Sequence, residues 1–196
     1  MKHYFKICWI AIILLSACTL NTSTTNSNSG SLTIRSAAGE ELAVIQMGDG
    51  EISVRDQEGQ LTGIAKRSDK RKYYNGSNTM VYAVKLDDDG FKLRDGNEQM
   101  IWKIKLYPDK LKIANNEEMT GAYEVKLKED GKLKLERNDS EVKAIHLSAA
   151  ADWSEIDQQY SIQGFGRSLA PGILLIPEIQ EREKFIIMAE IVQRGR

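Results

Sequence analysis

The chain has 196 residues, 27 of them basic and 28 acidic, for a formal net charge of −1. A balance this close to neutral excludes a nucleic acid as the partner of the chain as a whole. Only 2 histidines and 2 cysteines are present, which excludes conventional multi-histidine and thiolate metal centres once His3 and Cys8 are assigned to a leader.

That leader is MKHYFKICWIAIILLSAC, where Lys2 and Lys6 precede an apolar run from Ile7 to Leu15 and small residues follow. The pattern is that of a secretory signal over residues 1–17. Its apolar run is too short to span a bilayer, which takes roughly 20 such residues. Its last four residues, Leu15-Ser16-Ala17-Cys18, resemble the lipobox of bacterial lipoproteins. The resemblance implies cleavage before Cys18, acylation of Cys18, and attachment of the protein by lipid to a membrane of the bacterial cell envelope. Thr19, standing where an aspartate is absent, implies the periplasmic face of the outer membrane by the sorting rule of enteric lipoproteins. Cys18 is then the only cysteine left, so no intramolecular disulfide forms. Residues 18–31 continue as CTLNTSTTNSNSGS, too polar to bury a core. They read as a flexible tether of rms reach ~20 Å, by about 5–6 Å times the root of its length.

Between residues 32 and 148 the chain repeats. KRKYYNGSNTMVYAVKL (Lys70 to Leu86) and GFKLRDGNEQMIWKIKL (Gly90 to Leu106) superpose without a gap at a shift of 20 residues, placing Lys72 on Lys92, Gly76 on Gly96, Met80 on Met100, Tyr82 on Trp102 and Val84 on Ile104. Asp109 to Leu127 adds a copy with one inserted residue, and Gly50 to Lys66 and Gly131 to Leu147 add weaker ones. Inside each copy the apolar period is two: Trp102, Ile104 and Leu106 alternate with Lys103 and Lys105. This predicts a β-hairpin repeat domain, each copy a strand, a turn, a strand and a turn, with one face buried and a lysine-studded face in water. Because twenty is even, an exact repeat keeps the same face inward throughout.

The stretch LDDDGFKLRDGNEQ (Leu86 to Gln99) crowds five carboxylates around two glycines. A calcium loop of the EF-hand type needs its first oxygen ligand five positions before the glycine. Counting back from Gly90, Gly96 and Gly131 finds Lys85, Phe91 and Lys126 there. The segment therefore reads as two turns, with Asp and Asn bonding to nearby backbone and Gly supplying positive φ.

After a mixed stretch from Ser148 to Arg167, the tail of the segment 149–196 turns apolar. Phe185, Met188, Ala189 and Val192 fall at helical spacing, and Ile186, Ile187 and Ile191 widen the stripe. Pro177 suits a helix start and Gly195 a helix end. The charged block from Glu178 to Lys184 excludes a membrane span through this region. One or two short helices packing on or inside the sheet are expected. The repeated strand-turn units and the apolar C-terminal helix resemble the tubby-like and LURP-one-related barrels and uncharacterised repeat lipoproteins. That resemblance implies a mainly β fold, an antiparallel sheet or closed barrel of roughly 12 strands around a buried helix.

The search for chemistry returns little. His146 is the one histidine beyond the leader and reads as a strand-face or packed residue. Gly166-Arg167-Ser168-Leu169-Ala170 has Ala where a nucleophile elbow wants Gly. No catalytic residue, metal ligand or cofactor site is assigned. Lys66, Arg67, Lys70, Arg71 and Lys72, followed by Tyr73 and Tyr74, form the one concentrated basic patch, a candidate surface for an anionic lipid, glycan or envelope protein. The expected function is that of a membrane-anchored, non-enzymatic binding or structural module. A lipid or small-molecule carrier is the alternative, and it requires that the helix leave a cavity inside the barrel.

Overall fold

The computed structural model describes residues 30–147, 154–156, 158–164 and 168–195. The signal segment and Cys18 lie outside the described residues. The strands are β1 (Gly30–Ser36), β2 (Glu41–Met47), β3 (Glu51–Asp56), β4 (Gly59–Arg67), β5 (Lys70–Tyr74), β6 (Met80–Asp87) and β7 (Gly90–Asp95). They continue as β8 (Met100–Leu106), β9 (Lys110–Ala114), β10 (Tyr123–Leu127), β11 (Lys132–Arg137), β12 (Ser140–His146), β13 (Ser154–Ile156) and β14 (Tyr160–Gln163). A 3₁₀ helix, Ala170–Leu175, and one α-helix, α1 (Glu181–Gln193), complete the chain.

The strands form one 14-stranded antiparallel sheet in which β1 to β12 follow chain order, while β14 pairs with β1 and carries β13 beyond it. Ile34 stands opposite Ile162 across that junction. The mixed stretch thus supplies two strands, and β1 begins at Gly30, inside the stretch read as tether. β12 and β13 end the order, and no ladder joins them among the described residues.

The sheet is repeat-like in its details. Register slips fall between Tyr73 and Tyr74 and again between Leu93 and Arg94, at equivalent positions of successive hairpins. Asn75 Oδ1 accepts the Ser77 and Thr79 amides at 3.1 and 2.9 Å, and Asp95 Oδ1 accepts those of Asn97 and Gln99 at 2.9 and 2.8 Å. Asn78, Glu98 and Met119 all take a left-handed φ, of 59°, 64° and 58°. Asp95 of the Asp-rich stretch therefore shapes its turn, as expected, while Asp89 and Glu98 bridge to Lys105 and Lys70, and the glycines do something else. Positive φ falls on Glu98, not on Gly96. At Gly90 a Cβ would lie 2.0 Å from the Ile104 carbonyl oxygen, so this glycine is required by close backbone approach across the β7–β8 ladder.

The inward face carries Tyr73, Phe91, Leu93, Ile104, Leu111, Ile113, Val125 and Leu133, all buried, and α1 packs against it. Every residue of α1 from Glu183 to Ile191 is buried. At 100° per residue such a run covers all sides of a helix, the signature of one enclosed by its surroundings. Polar ties from widely separated strands to this helix and the residues before it require the same geometry. In a flat sheet β3 and β11 would lie ~38 Å apart at about 4.8 Å per strand, yet Asp56 of β3 bonds Arg182 while Arg137 of β11 bonds Glu178. The sheet therefore curls around the helix.

α1 starts at Glu181, four residues later than Pro177 suggests, because Ile173–Pro177 is occupied by the end of the 3₁₀ helix and the turn after it. Glu181 and Glu183 in the first turn complement the helix dipole. Gly195, at φ 69°, donates to Val192 O at 2.9 Å and closes the helix as expected.

Candidate functional site

Two groups of polar residues stand out, one inside the curl and one on its outer face. Inside, Glu190 is 1% exposed and lies among Ile187, Met188 and Ile191. Arg71 Nη1 donates to its Oε2 at 2.6 Å, and the Tyr73 hydroxyl donates to its Oε1 at 2.7 Å. Burial disfavours the Arg71 cation, but the Glu190 carboxylate outweighs it and holds the guanidinium pKa above its ordinary value. Burial first, and then the charge of Glu190, push the Tyr73 phenol well above its ordinary value, so it stays a donor.

Further ties hold the helix and the segment before it to the sheet. Trp102 Nε1 donates to Glu183 Oε2 at 2.8 Å, and Arg182 forks onto Asp56 and reaches Gly59 O. Before the helix, Glu178 receives the Tyr123 hydroxyl at 2.6 Å and Arg137 Nη1 at 2.9 Å, with the guanidinium stacked 4.5 Å over the Tyr123 ring. Lys184 is buried, donates to Leu174 O at 3.1 Å, and has its pKa lowered by that burial. These contacts fix α1 in place, and none of them was apparent in the basic patch or the turn motifs.

The patch itself is divided by the sheet. Arg71 turns inward to Glu190, while Lys70 and Lys72 turn outward and share Glu98 at 2.7 and 3.4 Å. Lys66 lies 5.2 Å over the Tyr74 ring and Arg67 is exposed at the β4–β5 turn. The five residues are thus not one surface. Alternation predicts this, since the 20-residue shift sets Arg71 on Phe91, an inward position. His146 is exposed at the end of β12, opposite Lys132. Ser168 is buried, and its Oγ accepts the Ala170 amide at 3.1 Å to start the 3₁₀ helix.

On the outer face, lysines and carboxylates interleave over β9 to β12. Glu124 receives Lys112 at 2.6 Å and Lys110 at 3.2 Å, and Lys126 bridges to Glu136. Hydrogen bonds from Lys112 lower the Glu124 pKa to about 2. A carboxylate whose folded pKa is depressed contributes stability that is complete above its unfolded value and lost as pH falls through the folded one. Glu124→Gln should therefore cost about 1 kcal/mol at neutral pH, a value scaled for a solvent-screened site. Urea denaturation of both proteins between pH 7 and pH 2 checks this, with the difference vanishing toward the acid end.

Among the described residues, two clefts open where the helix N-terminus and the segment leading into it meet the sheet. One, of ≈ 40 Å³, is bordered by Trp102, Tyr123, Arg137 and Glu178; the other, of ≈ 80 Å³, by Leu42, Asp56, Glu181 and Phe185. The first has room for a few waters, each needing about 10–15 Å³ of such space. Compared with protein-family models, with characterised proteins and with solved structures, the chain finds no match in any of the three.

Proposed function

We propose that the protein is a cell-envelope lipoprotein, anchored through an acylated Cys18 and acting as a non-enzymatic binding or structural module. The observation that carries the reading is the filled interior: Phe185, Ile187 and Met188 are at most 1% exposed where a carrier would need room for cargo. A site for a small molecule ordinarily encloses roughly 300–1,000 Å³. Recognition by such a module falls to its outside and its rims.

The reading includes closure of the curled sheet into a tubby-like barrel. Helix burial on all sides supports it, and so does covalent geometry. The two end strands are consecutive in the chain, and His146 and Ser154 are joined by eight Cα steps of about 3.8 Å, at most ~30 Å in all. The twelve residues from Cys18 to Ser29 precede β1. As a flexible coil they would leave the module an rms reach of ~20 Å from its lipid. Thr19, by the sorting rule of enteric lipoproteins, supports the outer membrane as its place.

Labelling bacterial cells with palmitate, followed by mass spectrometry of the mature N-terminus, tests the anchor. The wild type should begin at a lipid-modified Cys18 and sediment with membranes, whereas Cys18→Ser should carry no label. A mature wild-type chain without lipid would overturn the proposal.

A further inference from the structure

The strand registers bring like charges together in a way the sequence spacing conceals. Arg67 of β4 stands opposite Lys70 of β5, Lys70 opposite Lys85 of β6, Lys85 opposite Lys92 of β7, and Lys92 opposite Lys103 of β8. Five cations thus occupy one row running across five adjacent strands. At about 4.8 Å per strand the row is ~19 Å long. Like charges set directly opposite one another destabilise a sheet.

The neighbouring hairpin relieves the conflict. Where β7 and β8 pair Lys92 with Lys103, the equivalent positions of β9 and β10 pair Lys112 with Glu124. Among the described residues, the carboxylates that bridge to the row come from turns: Glu98 reaches Lys70, and Glu117 serves both Lys92 and Lys103. Both acids are close to half exposed, and solvent screening leaves surface pairs of this sort contributing little. These bridges offset only part of the row's repulsion, and a local rule broken with so partial a compensation marks a place shaped for something outside the chain.

We infer that this cationic row is a docking surface for a linear polyanion lying extended across strands β4 to β8, its charges meeting Arg67, Lys70, Lys85, Lys92 and Lys103 in turn. The inference deepens the binding-module reading, on which it rests, and moves the recognition surface from the contiguous patch to a row assembled by register. A linear arrangement of charges at near-regular intervals matches a chain-like ligand, whereas the acidic turns beside it, Asp87 to Asp89, confine that ligand to the row.

The test uses the acylated protein in detergent with inorganic polyphosphate of graded length. Affinity should rise with chain length until the polymer spans ~19 Å and then level off. A five-charge contact should weaken on the order of 100-fold between about 50 and about 200 mM salt, by the counterion-release slope for flexible strands. Lys85 is exposed and flanked by two cations, so Lys85→Glu should leave the protein folded, with its thermal unfolding raised slightly by the relieved repulsion, while weakening binding about tenfold or more. Lys128→Glu, on the exposed β10–β11 turn away from the row, should bind as the wild type does. Equal loss in both variants, orthophosphate binding as tightly as the long chain, or binding to phosphatidylglycerol vesicles without binding to soluble polyphosphate would each overturn the row as a polyanion site. Any of these in a protein that does carry lipid on Cys18 leaves the lipoprotein reading standing; absence of that lipid removes the reading itself.

Discussion

Glu190→Ala should lose roughly 3–5 kcal/mol of stability, the cost of leaving one partner of a buried ion pair uncompensated. Arg71 and Glu190 have side chains 8% and 1% exposed, so the stranded guanidinium cannot recover its lost hydration. The Tyr73 hydroxyl loses its acceptor at the same time. Against a total of roughly 5–15 kcal/mol for a domain, this single change removes a large share. The triple variant Arg71→Met, Tyr73→Phe, Glu190→Leu should regain most of the loss, because apolar groups of similar size often replace a buried pair without penalty. Urea denaturation of the wild type, the single variant and the triple variant measures both. Recovery in the triple variant identifies uncompensated polarity as the cause of the defect, as opposed to a missing side-chain volume.

Phe185→Ala is expected to cost about 3–5 kcal/mol through lost apolar transfer and the void left behind. Phe185 is 1% exposed and lies on the stretch of α1 that is buried on every side. Val192, one residue from the helix end, is only half-buried. Val192→Ala should cost about 1 kcal/mol, on a scale of about 0.8 kcal/mol per fully buried methylene. The contrast distinguishes a helix enclosed by the sheet from one lying on its surface. In the second case a single stripe would be sensitive, and Ile186, Ile187 and Met188 could not all be.

Much of this was legible in the sequence. Period-two alternation and the shift of 20 residues place β5 to β8 and their turns, since a strand's face assignment depends only on parity. The apolar tail likewise marks α1. Three things were not legible, each for a physical reason. Pairing of β1 with β14 joins residues more than a hundred positions apart, and no local pattern encodes which edge a curled sheet will meet. The Asp-Asp-Asp-Gly turn suggests positive φ at Gly90, but the need for glycine there arises from the Ile104 backbone across the ladder. The division of the basic patch follows from alternation, but proximity in sequence made five charges look like one surface. A signal for the buried pair did exist: Arg71 sits at a position that is Phe91 in the next copy, and Glu190 is the lone carboxylate in FIIMAEIV. An inward cation and an isolated acid in an apolar helix call for each other. The cationic row needed register, because Lys70, Lys85, Lys92 and Lys103 recur at intervals that only the bulges and turn lengths bring into line.

Amide hydrogen exchange under native conditions tests the central claim, that α1 is enclosed by the sheet, most directly. Amides of residues 185–191 should exchange only through global unfolding, as slowly as those of β6 to β8 at the middle of the sheet. Exchange of the α1 amides at the rate of a short exposed helix, while the strands remain protected, would contradict the account.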